Sequence, residues 1–85
     1  MTLQVRVRYF ASLREALGPE EVVALASGST VGELRAALVA RGGRHAEVLA
    51  VGRAVRCALG QRLCSEAEPL AQGAEVAFFP PVTGG

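Results

Sequence analysis

The chain has 85 residues, 51% hydrophobic and 20% charged, with a formal net charge of +1. This length suits one small domain with a modest core, and the composition excludes a disordered protein. The near-neutral charge, with arginines scattered along the chain, gives no electrostatic basis for binding nucleic acid or an anionic membrane. No apolar run approaches the ~20 residues that span a bilayer, and no signal peptide is evident, so we expect a cytoplasmic protein.

The first segment with a clear pattern is residues 3–10, where side chains alternate and predict a half-buried strand. Its predicted inward face consists of Leu3, Val5, Val7 and Tyr9. Phe10 falls on the outward face, among polar residues. Ser12 and Glu15 have the spacing of a capping box, which predicts a short helix that Gly18 ends.

A second strand is predicted over residues 21–26, followed by the main helix. Thr30 and Glu33 form a second capping box that opens this helix. Its predicted inward face consists of Val31, Leu34 and Leu38. Arg41 suits the negative end of the helix. Gly42–Gly43 is predicted to end the helix rather than to open another, so we expect no phosphate-binding loop there.

The C-terminal half predicts a hairpin and a last strand. Residues 44–53 have no clear pattern beyond a helical turn within them. Residues 55–59 and 62–64 are predicted to pair through a two-residue turn, and residues 75–79 form the last strand. This order indicates an α+β domain, with a mixed sheet and one main helix packed on one face. The other face is then open to partners.

Three apolar side chains are predicted to lie on this open face. If Val76 and Phe78 face the helix, Phe79 points outward, as Phe10 does by its own alternation. Leu63 on the hairpin can join them. Exposed phenylalanines suggest a surface that a partner covers. The alternatives are that Phe10 tucks under a loop, or that a bulge shifts the alternation.

The side chains give no self-sufficient catalytic site. His45 lies among glycines and arginines and is predicted to be a solvated loop residue, and no glutamate forms an obvious acid–base pair. Cys57 and Cys64 lack CxxC spacing and neighbouring metal ligands. They are expected to be small buried or half-buried thiols in a reducing compartment rather than a disulfide or a redox pair. We therefore expect no bound metal or cofactor, and no enzyme in this chain alone.

The C-terminal segment has the properties of a reactive tail. Gly84–Gly85 has no side-chain bulk, so it can thread a narrow channel, and a free carboxylate there is easy to activate. Pro80 and Pro81 stop the last strand and hold the tail semi-extended. The sequence thus predicts a domain over residues 1–79 and a flexible tail over residues 80–85. The alternative is a frayed terminus without function.

The segment 73–85 closely resembles the C-terminus of the small, sulfur-carrier subunit of molybdopterin synthase. Its end, Phe-Phe-Pro-Pro-Val-Thr-Gly-Gly, is highly specific. Residues 7–15 and 30–35 resemble the first strand, short helix and main helix of that family, whereas residues 42–56 match weakly. The resemblance implies a ubiquitin-like β-grasp fold.

The same resemblance implies a mechanism and a set of partners. An E1-like enzyme would use ATP to adenylate the Gly85 carboxylate, and a sulfur donor protein would convert it to a thiocarboxylate. The tail would then enter the large synthase subunit, within a heterotetramer, and pass sulfur to a cyclic pyranopterin monophosphate. Catalytic groups are expected on that large subunit. The tail residues implied to lie in its tunnel are Pro80, Pro81, Val82, Thr83 and Gly84. The residues implied to contact the partner are Phe10, Leu63 and Phe79.

Three other functions stay open from the sequence. The sulfur carrier of thiamine biosynthesis also ends in Gly-Gly on a β-grasp domain, although it usually lacks the Phe-Phe-Pro-Pro stem. A protein modifier would use the same terminal chemistry on lysines of target proteins. In a plain interaction module, the terminal glycines would be incidental.

Overall fold

The computed structural model describes residues 1–50 and 52–81. The elements in chain order are β1 (Thr2–Tyr9), α1 (Ala11–Leu17), β2 (Glu20–Ala26), α2 (Val31–Val39), α3 (Gly43–Leu49), β3 (Arg56–Leu59), β4 (Arg62–Leu63) and β5 (Glu75–Phe79). The five strands form one sheet in the order β2-β1-β5-β3-β4. The pair β1–β5 is parallel, and the other pairs are antiparallel. The mixed sheet and the α+β class predicted from the sequence are confirmed.

The core lies between the sheet and the helices. The inward face predicted for β1 is buried at every position, and so are Val76 and Phe78 of β5. The inward residues of α2 are fully buried against them, as their helical spacing predicts. The residues of β1 and β5 that alternate with these face away from the core and form the open face of the sheet.

The start of α2 is fixed by the predicted capping box. The Glu33 backbone N–H donates to Thr30 Oγ1 at 3.2 Å, and the Thr30 N–H donates to Glu33 Oε1 at 2.9 Å. Each side chain thereby satisfies a backbone donor that the first helical turn leaves unpaired.

The predicted capping box of α1 is wrong. This helix begins at Ala11, with Phe10 at the N-cap position and no side-chain cap hydrogen bond. The reason is that Phe10 is still held by the sheet, since its N–H donates to the Phe78 carbonyl at 3.2 Å. The chain therefore turns sharply after Phe10, with Ala11 at a positive φ of 54°. Gly18 ends the helix, as predicted, and its N–H donates to the Arg14 carbonyl.

Two predictions at the end of α2 are also wrong. The helix ends at Val39, so Arg41 lies beyond it and does not complement its dipole. Gly42 does more than follow a helix: it is the N-cap residue of α3, with a φ of 75° that favours glycine. The weakly patterned region 44–53 thus contains a third helix, longer than the predicted turn.

A buried arginine fixes the chain where α3 ends. Arg35 of α2 is 6% exposed, and its Nε donates to the Leu49 carbonyl at 2.7 Å. Its Nη2 donates to the carbonyls of Ala50 and Arg53, and its Nη1 forms a 2.7 Å ion pair with Glu66. The guanidinium therefore satisfies three backbone acceptors that have no helical or strand partner.

Candidate docking surface at the root of the C-terminal segment

Phe10 and Phe79 lie next to each other because β1 and β5 run parallel. Tyr9 pairs with Phe78 in the register of these strands, which places Phe10 opposite Phe79 one residue further on. Phe10 has extended backbone angles, so the alternation of β1 continues through it and its ring lies on the open face. Phe10 is 39% exposed and Phe79 is half-buried. The predicted outward placement of both rings is confirmed.

Leu63 belongs to the same face, two strands further along the sheet. The registers place Arg8, Ala77, Ala58 and Leu63 in one row across β1, β5, β3 and β4. Since neighbours in a row share a face, Leu63 lies on the open side, and it is 67% exposed. Ala77 and Ala58 lie between Arg8 and Leu63, and their small side chains leave a shallow depression at the centre of the row.

A cavity of about 200 Å³ connects the two phenylalanines. Phe10 and Phe79 line it together with Arg8, Ala58, Gln61, Glu75 and Ala77. The Arg8 guanidinium lies 5.3 Å from the centre of the Phe10 ring, within the range of a cation–π interaction. We call Phe10, Leu63, Phe79 and Arg8 the docking surface. Arg8 was not among the predicted contact residues, although its alternation with Phe10 places both on one face.

The docking surface lies at the root of the C-terminal segment. Strand β5 ends at Phe79, and Pro80 follows outside the sheet, as predicted. Pro80 is half-buried and lines a cleft of about 370 Å³ with residues of α1, α3 and the approach to β3. Pro81 is also half-buried. Val82, Thr83, Gly84 and Gly85 lie outside the described residues, so their predicted roles stay predictions.

A polar network that includes His45 lies on the opposite face of the sheet, which the helices cover. His45 was predicted to be a solvated loop residue. That prediction is wrong. His45 belongs to α3, and its Nε2 lies 2.8 Å from Glu21 Oε2. The same oxygen accepts a 2.7 Å hydrogen bond from the Tyr9 hydroxyl, and Arg41 Nη1 donates to Glu21 Oε1 at 2.6 Å. Both carboxylate oxygens of Glu21 are therefore occupied.

This network shifts the pKa values of Glu21 and Tyr9. Burial alone would raise the pKa of Glu21, but hydrogen bonds from His45, Tyr9 and Arg41 outweigh it and lower the pKa to about 2. Because the ionised carboxylate only accepts hydrogen bonds, Nε2 of His45 must be the donor. Burial, and then the hydrogen bond to Glu21, raises the pKa of Tyr9. The network thus has the character of a structural tie between β1, β2 and α3.

The two cysteines are free thiols, buried at Cys57 and half-buried at Cys64, as predicted. No group of three or more His, Cys, Asp or Glu side chains in residues 1–50 and 52–81 is arranged to hold a metal ion. None of the helices in that part of the chain is long and apolar enough to cross a membrane.

Comparison with known proteins places this chain in a family. The model of the ThiS family matches residues 7–85. The chain belongs to the ThiS family. The molybdopterin synthase sulfur carrier subunit of Escherichia coli is 42% identical over 81 residues, which cover 95% of this chain and 99% of that protein. The subunit of the same name from Haemophilus influenzae is 33% identical, with the same coverage of both chains.

Solved structures of similar proteins agree with this membership. Small archaeal modifier protein 1 of Haloferax volcanii has a TM-score of 0.76 and 26% identity, over 94% of this chain and 99% of that one. Subunit 1 or 2 in the complex of the Helicobacter pylori molybdopterin-converting factor has a TM-score of 0.67 and 26% identity, over 98% and 100%. Caldiarchaeum subterraneum ubiquitin, at 15% identity and a TM-score of 0.65 over both whole chains, shows the fold alone. The expected ubiquitin-like β-grasp fold is confirmed.

Proposed function

We propose that this ThiS-family chain is the sulfur-carrier subunit of molybdopterin synthase and donates sulfur from its C-terminal Gly85. The observation that carries the proposal is the position of the docking surface. The last strand ends beside Phe10 and Phe79, so a partner that covers these rings also receives the segment that follows Phe79. The sequence of that segment, through Gly84–Gly85, is the most specific part of the resemblance.

The docking surface supports binding of a protein partner. Phe10 and Leu63 are among the few large apolar side chains that the described residues expose. Buried aromatic side chains and arginines contribute most to binding at protein interfaces, and the surface offers both, since Arg8 stacks on Phe10. The proposed partner is the large synthase subunit, which would supply the catalytic groups, within a heterotetramer.

The terminal residues would act as a co-substrate rather than as a catalyst. An E1-like enzyme would transfer AMP from ATP to the Gly85 carboxylate and release pyrophosphate, which makes the acyl carbon open to attack. A sulfur donor protein would then displace AMP and leave a thiocarboxylate on Gly85. Pro80, Pro81, Val82, Thr83 and Gly84 would extend through the partner's tunnel and carry the sulfur to the cyclic pyranopterin. ATP would be bound by the activating enzyme, in the cytoplasm, and not by this chain.

Intact-mass spectrometry tests the terminal chemistry directly. The full chain is incubated with an E1-like activating enzyme, ATP and a sulfur source. We expect one oxygen of the C-terminal carboxylate to be replaced by sulfur, and transfer to the pyranopterin on addition of the large subunit. A chain that lacks Gly85 is the matched control, because its domain is unchanged and no sulfur should be transferred. An unchanged mass of the full chain, with an activator shown to be competent, would contradict the proposal.

A protein modifier is the second candidate function, because the modifier of Haloferax volcanii is similar in structure over nearly the whole chain. A modifier would form the same acyl-adenylate but would end as an amide on lysines of other proteins. This chain has no lysine of its own, so such conjugates would not extend by chains of itself through lysine. Conjugates in lysates that depend on Gly85 would favour this alternative. Sulfur transfer to a thiazole-forming enzyme, and not to the large synthase subunit, would favour the thiamine pathway.

A further inference from the structure

Cys57 and Cys64 face each other across the β3–β4 hairpin. Ala58 pairs with Leu63 in this hairpin, so the two cysteines form the next opposed pair. The Cys64 N–H donates to the Cys57 carbonyl at 3.2 Å, so one backbone hydrogen bond continues the pairing beyond Leu63. Their Sγ atoms are 3.6 Å apart, and the Cys57 thiol donates to the Cys64 carbonyl at 3.3 Å.

This arrangement is compatible with a disulfide without movement of the backbone. Opposed residues of an antiparallel pair have Cα atoms about 4.5–5.5 Å apart, whichever type of pair they form. Disulfides form at Cα separations of roughly 4.4–6.8 Å, with a bond length of about 2.05 Å. The sulfur atoms must therefore approach by about 1.5 Å, which small rotations of the two side chains can supply.

We propose that Cys57 and Cys64 are a redox-active pair that closes to an intramolecular disulfide by exchange with a low-molecular-weight disulfide such as oxidised glutathione. The proposal goes beyond the sulfur-carrier function and does not depend on it. A transient disulfide of this kind is the form that occurs in reducing compartments.

The burial of the two thiols sets the order of the exchange. Burial, and then the hydrogen bond with Cys64, raises the pKa of Cys57 to about 12. Glu66 raises this pKa further, while Arg35 lowers it. The half-buried Cys64 is the more accessible thiol, and it attacks first as the thiolate. One glutathione thiolate leaves, and Cys64 becomes a mixed disulfide.

In the second step, Cys57 loses its proton to solvent and its sulfur attacks Sγ of Cys64. The bond between Cys64 and glutathione breaks, and the second glutathione leaves as a thiol. In sum, two protein thiols are oxidised by two electrons and one glutathione disulfide is reduced to two thiols. The short distance of 3.6 Å favours this step over a second external exchange.

Formation of the disulfide would restrain β4, the strand with the fewest backbone contacts in the sheet. β4 has two residues, lies at the sheet edge and pairs with β3 alone. It carries Leu63 of the docking surface, directly before Cys64. The disulfide would join β4 covalently to β3, whose other side pairs with β5.

The test compares disulfide formation in the folded and the urea-unfolded full chain. Both are equilibrated with mixtures of reduced and oxidised glutathione, and the remaining thiols are alkylated and counted by mass spectrometry. A fold that holds the thiols in contact must favour the disulfide, so we expect its formation constant to be about tenfold larger in the folded chain. A ratio of one or less would overturn the proposal.

Two variants test the order of the exchange. In Cys57→Ser, the mixed disulfide on Cys64 should accumulate, because no second thiol resolves it. In Cys64→Ser, Cys57 should stay unmodified while the chain is folded. Far-UV circular dichroism checks that the variants fold, and Cys57→Ala replaces the serine variant if it does not. An adduct on Cys57 in the folded Cys64→Ser chain would overturn the assigned order.

Discussion

Glu21 offers the sharpest test of how this domain is held together. Its carboxylate accepts hydrogen bonds from Tyr9, Arg41 and His45 at 2.6–2.8 Å, and its side chain is 22% exposed. The substitution Glu21→Gln keeps the shape and one carbonyl acceptor but removes the charge. The variant should therefore fold, with a lower free energy of unfolding at neutral pH.

The pKa shift of Glu21 sets an upper limit on the loss in the free energy of unfolding. Lowering the pKa of Glu21 from 4.5 to about 2 stabilises the folded chain, because the ionised form interacts with its partners. At 1.36 kcal/mol per pH unit, this difference corresponds to at most about 3 kcal/mol. Solvent screening of the partly exposed Arg41 and the acceptor that Gln retains reduce the loss. We expect Glu21→Gln to cost about 1–2 kcal/mol at pH 7.

The pH dependence follows from the direction of the shift. A carboxyl whose pKa is lowered by folding contributes its stabilisation fully above its unfolded pKa of 4.5. That contribution is lost as the pH falls from about 4.5 towards 2, because over this range the unfolded chain binds a proton at Glu21 and the folded chain does not. Glutamine does not titrate. The difference between the original chain and Glu21→Gln should therefore be constant above pH 5 and nearly vanish at about pH 2.

Urea unfolding followed by far-UV circular dichroism measures this difference, since the chain has no tryptophan for fluorescence. Glu20→Gln is the matched control. Glu20 is the neighbour of Glu21 and pairs only loosely with Arg8, at 3.7 Å between exposed side chains. Its substitution should change the free energy of unfolding by about 0.5 kcal/mol or less. A loss for Glu21→Gln that equals the control, or that persists unchanged at pH 2, would refute the assignment of this network.

Three further predictions concern other parts of the molecule. Phe79→Asp should weaken binding of the large subunit, measured by calorimetry, at least about tenfold more than Val22→Asp does; Val22 is also exposed, but on β2. Equal effects would contradict the docking surface. Tyr9, the only tyrosine, should stay protonated above pH 10 until the chain unfolds, because folding raises its pKa. The stability that this raised pKa contributes is lost as the pH rises further. An absorbance change at 295 nm before the loss of circular dichroism would disprove this. Arg35→Ala should cost about 3–5 kcal/mol in urea unfolding, since it leaves the Leu49 and Arg53 carbonyls unpaired, whereas the Ala50 carbonyl still accepts from the Arg53 N–H. Glu66→Gln should cost about 1 kcal/mol, and similar losses for both would contradict the role of Arg35.

Much of the fold could be predicted because its elements are specified locally. The alternation in β1, the spacing of Val31, Leu34 and Leu38, and the capping box at Thr30 each depend on residues within one element. The placement of Phe79 followed from the same alternation. Arg8 could have been added to the docking surface by extending that reasoning by two residues from Phe10.

Two of the errors, at the start of α1 and at His45, involve contacts between residues distant in sequence. The start of α1 is decided by the hydrogen bond from Phe10 to Phe78, which outweighs the local signal of a serine. His45 and Arg41 lie within a few residues of each other, but their shared partner Glu21 is about 20 residues earlier, on strand β2. A sequence pattern within one segment does not indicate a hydrogen-bond partner on a distant segment. The one available signal was Tyr9, whose hydroxyl needs an acceptor when its ring faces the core.

Tyr9, the last residue of β1, and Phe10, which follows it, connect the two faces of the sheet. Tyr9 is fixed through Glu21 on the covered face, and Phe10 immediately follows on the open face. Phe10 is also tied by its own backbone to Phe78 of β5. Since this second tie does not involve Glu21, loss of the network should lower stability without moving the Phe10 ring relative to Phe79. Glu21→Gln should therefore bind the large subunit as the original chain does at pH 7, and a loss as large as that of Phe79→Asp would show that the docking surface depends on the network.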